Sequence, residues 1–272
     1  MKRIFRTLAL ALALAATAAF GQGSGKMELL WLGQSCFRIT TPSGKVIVTD
    51  PWLKANPKTP AEYKDLDKLG KVDLILVTHA HADHFTDAPA LAKLNNAPIV
   101  GPQGLNATMK AYGLVPPELT VRMGKGGVYA PWGPSGVKIT ATHAEHDSEL
   151  VWKDAEGKEQ VYVGGSPFGY IIEMENGFRI YHSGDTGLFG DMKLIGERYK
   201  PDLFMVPIGG HFVMSPTDAA YATREWIHPK YAIPMHYGTN PFLKGTPEEY
   251  AKAMEGSGVK VYPMAPGDKL QF

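Results

Sequence analysis

Apolar and polar positions follow two periods along the chain, and the places where one gives way to the other outline the fold. Met27–Leu32, Cys36–Thr40 and Lys45–Thr49 read as three strands, the last two joined at Pro42-Ser43-Gly44. Strands joined by turns this short are antiparallel neighbours. Asp73–Val77 is a short run of branched apolar residues bounded by polar ones, the pattern of a buried strand. From Thr86 to Leu94 the apolar residues Ala88, Leu91, Ala92 and Leu94 adopt helical spacing. Ile99-Val100 predicts a short strand, and Leu105–Tyr112 a helix closed by Gly113. Residues 114–136, with many Gly and Pro, read as loop carrying one or two short strands.

Period two returns over Val137–Thr142, Gln160–Val163, Tyr170–Met174 and Phe178–Tyr181, the last pair turning at Glu175-Asn176-Gly177. Met192–Tyr199 predicts a helix, and Leu203–Pro207 a continuous apolar strand. Ser215-Pro216-Thr217-Asp218 and Thr246-Pro247-Glu248-Glu249 carry helix-start chemistry, for helices reaching about Trp226 and Gly256. Ala232–Met235 lies between them as a strand, and Val259–Tyr262 and Lys269–Phe272 close the chain as strands. Antiparallel strands come first and strands alternating with helices follow. This predicts a layered α/β fold with helices outside the sheets, one domain over residues 27–272.

Residues 1–20 differ in kind. Lys2, Arg3 and Arg6 precede an apolar run from Leu8 to Phe20, and Ala16-Thr17-Ala18 offers a small-residue cleavage site. The pattern is that of a secretory signal peptide, which predicts export to the periplasm or beyond the cell. The run is too short to span a bilayer comfortably, so no stable membrane insertion is expected after cleavage. Cleavage would take the formal charge from +1 to −2, which argues against a nucleic-acid partner and leaves a small molecule as the expected one. Cys36 is the single cysteine, so export would bring the fold no internal disulfide. No feature of the sequence fixes an oligomeric state.

The chemistry concentrates after Val77, where His79-Ala80-His81-Ala82-Asp83-His84 sets three imidazoles and a carboxylate at the end of a strand. Packing does not explain such a cluster, because each polar group must be solvated or paired. Imidazole and carboxylate together suit zinc and its first-row neighbours. The arrangement recurs near His146, at Asp185 and at His236, each just past an apolar strand.

These residues resemble the H-x-H-x-D-H signature of the metallo-β-lactamase superfamily. Tyr181–Phe189, Asp191–Glu197, Pro207–Gly210 and Ile233–Thr239 resemble its branch of metal-dependent hydrolases related to ascorbate-6-phosphate lactonases. The resemblance implies an αββα sandwich holding two divalent ions, zinc first, with manganese or iron as alternatives. His79, His81 and His146 would hold the first ion. Asp83, His84 and His236 would hold the second, and Asp185 would bridge the two. His143 competes with His146, which is favoured because Asp147-Ser148 follows it. The implied reaction is hydrolysis of a small ester-like bond, lactone or phosphodiester, by a hydroxide shared between the two ions, with Asp83 orienting it. A di-iron oxidoreductase of the same fold would carry Glu where His81 stands, and an intact ligand set argues against a metal binder without turnover. His211 and Tyr237 are candidate substrate contacts. The chain departs from the branch at Gln34, where Gly-His-Ser is common, and at Thr86, where Gly is.

Overall fold

The computed structural model describes residues 25–154 and 156–272 of the chain, so the predicted leader over 1–20 lies outside them. The first period-two segments form β1 (Glu28–Gly33), β2 (Cys36–Thr40) and β3 (Val46–Thr49), antiparallel in sequence. Parallel strands β4 (Leu74–Leu76), β5 (Ile99–Pro102) and β6 (Thr120–Met123) extend that sheet. The crossovers between them carry α1 (Ala82–Phe85), α2 (Ala88–Asn95) and α3 (Gln103–Ala111). A second sheet takes in β7 (Val128–Tyr129) and β8 (Lys138–His143). A separate hairpin, β9 (Glu149–Lys153) with β10 (Glu159–Val163), follows.

The second sheet resumes with β11 (Phe168–Glu173), β12 (Arg179–His182), β13 (Leu203–Pro207), β14 (Tyr231–Met235) and β15 (Lys260–Val261). Helices α4 (Met192–Tyr199), α5 (Pro216–Ala222) and α6 (Pro247–Ala253) connect its parallel strands. The chain ends in β16 (Lys269–Gln271), which returns to the first sheet beside β1.

Alternation along each strand sorts the side chains into three apolar layers. Leu29 and Trp31 of β1, Leu74 and Leu76 of β4, Tyr170 and Ile172 of β11, and Leu203 and Met205 of β13 meet between the two sheets. The intervening Leu30, Leu32 and Ile75 face Phe85, Leu91 and Leu105 of the first helical layer. Ile171, Phe204 and Val206 face Met192, Ala219 and Tyr250 of the other. Three buried interfaces between four layers make an αββα sandwich, as the resemblance implies. Both predicted caps form: Ser215 Oγ accepts the Asp218 N–H at 3.2 Å, and Thr246 and Glu249 make a reciprocal capping box.

Three elements differ from the sequence reading. Strand β9 falls where none was assigned; it is only five residues long, its burial alternates while its apolar residues Leu150, Val151 and Trp152 run together, and it pairs with β10 alone. Helical geometry after the His-rich segment begins at Ala82 and not Thr86, so Asp83 and His84 sit on the short helix α1. The chain breaks before α2 because Pro89 has no N–H to continue the ladder, while the Asp87 carboxylate accepts the backbone N–H groups of Leu53 and Lys54. The helix begun at Pro216 passes into a π-helical turn over Thr223–Ile227, where the Thr223 hydroxyl bonds the Ala219 carbonyl.

Candidate metal centre

Parallel strands end at one edge of each sheet, and the two edges are tied together there by hydrogen bonds. The Phe168 N–H donates to the Thr78 carbonyl at 2.8 Å, and the Tyr170 hydroxyl to the Val77 carbonyl at the same distance. The Ala80 N–H donates to Ser148 Oγ, and the His236 N–H to the Gln34 carbonyl. His182, facing the space between the sheets, accepts the Gly184 N–H on Nδ1 and so donates from Nε2 to the Ser35 carbonyl at 3.0 Å. This bond assigns it to joining the sheets and away from ligation, as its place in the strand alternation suggests.

Seven side chains converge at this edge. Ligand atoms of His79, His81 and His146 lie within 4.8 Å of one another, as do those of His79, His84 and Asp185, and those of Asp83, His84 and His236. Asp185 Oδ2 lies 2.8 Å from His236 Nε2, 3.2 Å from His84 Nε2 and 3.8 Å from His146 Nε2. It thus touches rings from both triads. Asp83 Oδ2 stands 3.4 Å from His236 Nε2 and 3.7 Å from His84 Nε2. His79, His84, Asp185 and His236 are buried, while His81, Asp83 and His146 are partly open.

The hydrogen-bond network sets which ring nitrogens face inward. Buried Asp50 accepts the Thr78 N–H at 2.7 Å and the Thr78 hydroxyl at 2.8 Å, so Thr78 Oγ1 is left to accept from His79 Nδ1 at 3.1 Å. The same carboxylate accepts from His84 Nδ1 at 2.9 Å, and Glu149 accepts from His81 Nε2 at 3.1 Å. Each ring then turns its remaining nitrogen inward, the arrangement by which outer carboxylates and hydroxyls orient metal-binding histidines. His79 Nε2 and His81 Nδ1 face each other at 3.0 Å, two lone pairs with no proton left to share. His84 Nε2 lies off the line needed for a hydrogen bond to Asp185, and it and Asp185 Oδ1 are buried with no hydrogen-bond partner. Buried imidazole and carboxylate atoms left without partners and converging in this way fit divalent cations.

The electrostatics divide the rings into two groups. Burial holds His79 well below its ordinary value and lowers His146 as well, so both are neutral. At His236 burial acts against the cation, but the Asp185 carboxylate outweighs it and pushes the ring up to about 9. His84 is likewise raised by Asp185, Asp83 and Asp50 against its burial. Burial would raise Asp185 and Asp83, yet the neighbouring His84 and His236 hold both carboxyls well below the usual range.

Backbone conformation at the site is unusual. Gln34, Asp50 and His236 all have φ between 39° and 56°, sparsely populated by residues with a side chain. Gly184, next to Asp185, has φ +63°, and a Cβ there would meet the Phe168 carbonyl and Thr78. Gly184→Ala is therefore expected to cost about 3 kcal/mol through overpacking and backbone strain. A urea unfolding midpoint equal to the parent's would contradict that.

Of the other sequence-predicted residues, His143 turns away, bonding Glu145 and Lys125 at the surface. His146 is the one facing the cluster. His211 does not join it either; its exposed ring stacks on Phe242 beside a separate cleft with Ser215 and Lys244. Tyr237 is adjacent, half-buried, with its hydroxyl donating to the Met264 carbonyl at 3.2 Å. Sequence reasoning missed the part played by Gln34, whose amide donates to Asp83 Oδ2 at 2.7 Å and touches His236 Nε2 at 2.8 Å. It also missed Glu149. The apolar triplet Leu150-Val151-Trp152 is the signal that could have placed a short strand there, though not its approach to His81.

Comparison with known proteins agrees with this geometry. A family model described as beta-lactamase superfamily domain matches residues 45–237. The chain is 58% identical to a UPF0173 metal-dependent hydrolase of Polaromonas sp. over all of both chains. It is 42% identical to another from Rubrobacter xylanophilus, over 90% of this chain and 97% of that one. Among solved structures, Igni18, a metallo hydrolase of the hyperthermophilic archaeon Ignicoccus hospitalis, superposes with a TM-score of 0.77 at 32% identity, covering 91% of this chain and 98% of the other.

Proposed function

Since the chain belongs to the metallo-β-lactamase superfamily and to its metal-dependent hydrolases, we propose that the seven-residue cluster holds two divalent ions, zinc by preference, and hydrolyses a small ester-like bond, lactone or phosphodiester. The observation that carries this reading is the pair of inward lone pairs on His79 and His81 together with the orphaned atoms of His84 and Asp185. His79, His81 and His146 would hold one ion and Asp83, His84 and His236 the other, with Asp185 shared. A donor set dominated by imidazole suits zinc. When bound, such ions lower the pKa of water toward neutrality and polarise the oxygen of the bond to be cleaved.

The remaining work falls to the chain's own groups. Asp83 is partly open to solvent and held ionised, so it can accept a hydrogen bond from the attacking water and fix its direction. Gln34 donates to Oδ2 of that carboxylate, the oxygen that also faces His84 and His236. Asp50 and Glu149 keep His84 and His81 in the tautomers that turn a lone pair inward. The leader over residues 1–20 would deliver the enzyme outside the cytoplasm, to a small-molecule substrate.

The test is metal analysis of the purified protein joined to a hydrolysis panel of lactones, phosphodiesters and β-lactams. About two zinc ions per chain are expected, with lactone or phosphodiester cleavage falling at least about a hundredfold in His81→Ala. A His81→Ala protein as active as the parent would overturn the assignment.

Affinity for the two ions should also respond differently to pH. Raised values at His84 and His236 mean that both rings carry protons in the metal-free protein at neutral pH, and a cation must displace them. Binding at that triad therefore weakens as pH falls, from about 9 downward on account of His236 by about tenfold per unit, with His84 adding in the same direction. The neutral His79 and His146 impose no such competition near pH 7. Competition with a chelator between pH 6 and 9 should accordingly show one ion lost well before the other; simultaneous loss would contradict the division.

A further inference from the structure

Next to the Asp83–His84–His236 triad lies a cavity of ≈ 270 Å³, walled by Trp31, Gln34, Lys58, Tyr237, Thr239 and Met264. A single side chain separates it from the candidate ligands. Gln34 reaches Asp83 Oδ2 and His236 Nε2 with its amide nitrogen, while its carbonyl accepts the Thr239 hydroxyl at 2.7 Å from the cavity side. The cavity therefore adjoins the candidate centre, with the Gln34 side chain as the partition the two share.

Its walls are fixed before any ligand arrives. The Trp31 indole N–H donates to the Gln34 backbone carbonyl at 3.1 Å, the Tyr237 ring lies 5.6 Å from the indole, and the Tyr237 hydroxyl is tied to the Met264 carbonyl. Such an apolar slot with few polar groups is the ordinary form of a small-molecule site, and its volume is near the roughly 300 Å³ lower end for such sites. That volume admits a ring with a short substituent. Lys58 supplies the cation at the wall. It is exposed and has no carboxylate within ion-pair distance among the described residues. Asp268, on the neighbouring segment, uses its carboxylate to accept the Ala265 N–H at 2.8 Å.

We infer that this cavity receives the part of the substrate beyond the scissile bond, and that the substrate is a small ester whose ring-sized apolar group carries an anionic substituent placed against Lys58. The inference rests on the hydrolase reading of the adjoining centre and adds the substrate class to it.

The probes are 3-phenylpropionate and its neutral amide, titrated calorimetrically into the zinc-loaded full chain, into Lys58→Gln and into Ala265→Phe, which crowds the cavity from its exposed rim. The acid is expected to bind at least tenfold more tightly than the amide. Lys58→Gln should abolish that difference, and Ala265→Phe should weaken both ligands tenfold or more. Equal binding of acid and amide would overturn the inference. So would acid binding indifferent to both substitutions, since the carboxylate would then sit on the metal ions. Binding as expected in a protein that hydrolyses nothing on the panel sinks the hydrolase reading and leaves the cavity assigned. Hydrolysis without the expected binding does the reverse.

Discussion

Asp185→Asn is expected to lower kcat/KM on the order of a thousandfold, equivalent to about 4 kcal/mol of transition-state stabilisation. Its carboxylate is buried at the end of β12 and lies within 4 Å of rings from both triads. The amide keeps the shape but removes the negative charge that would offset the two cations of the proposed centre. Metal content should fall from about two ions per chain toward one, because no other anionic side chain reaches both triads among the described residues. Elemental analysis and steady-state kinetics on the same preparation check both parts. Activity within tenfold of the parent with two ions retained would remove Asp185 from the centre.

Asp50→Asn should have the next largest effect, although Asp50 is not itself a candidate ligand. It is wholly buried and accepts from the Thr78 backbone, the Thr78 hydroxyl and His84 Nδ1. Its φ of +39° is one asparagine tolerates, so the substitution tests charge more than backbone. Loss of the charge lets the His84 tautomer relax and should weaken metal binding about 10–100-fold, the usual cost of removing an outer partner of a metal-binding histidine. Fold stability should drop by about 2–4 kcal/mol as a buried hydrogen-bond network loses its acceptor. Chelator competition reads the first effect and denaturant unfolding of the metal-free protein the second. Parent-like affinity in a destabilised protein would make Asp50 purely structural.

Most of the sandwich was legible because its strands are buried on alternate faces by different partners, and that leaves a strong pattern in the chain. Leu203–Pro207 and Asp73–Val77 show it as unbroken apolar runs, while Ser215 and Thr246 announce their helices through capping chemistry. Strand β9 was not legible because a two-stranded hairpin lying outside both sheets buries only Leu150 fully, with Trp152 partly covered. At the site, the ligand-type residues could be named from spacing and resemblance, and the choice of His146 over His143 agrees with which ring faces the cluster. The roles of Gln34 and Glu149 depend on long-range approach. Gln34 meets His236 across 202 positions, and Glu149 meets His81 across 68, separations that no local pattern encodes. His211, a candidate substrate contact from the sequence, has a left-handed φ of +59° and lines a cleft apart from the seven-residue cluster, a placement that its position after two glycines does not encode.

Four of the seven converging residues follow β4 in one sheet, and three come from the ends of β8, β12 and β14 in the other. The opposite rim is fastened by tilted aromatic contacts, with Phe272 5.2 Å from Phe178 and 4.9 Å from Tyr231. Grip on the ions and clasping of the far rim are therefore two ends of one lever. A Phe272 truncation, at the rim opposite the seven-residue cluster, should let the sheets splay and surface as faster loss of whatever metal the cluster holds, so that chelation kinetics would gauge the tightness of the whole sandwich.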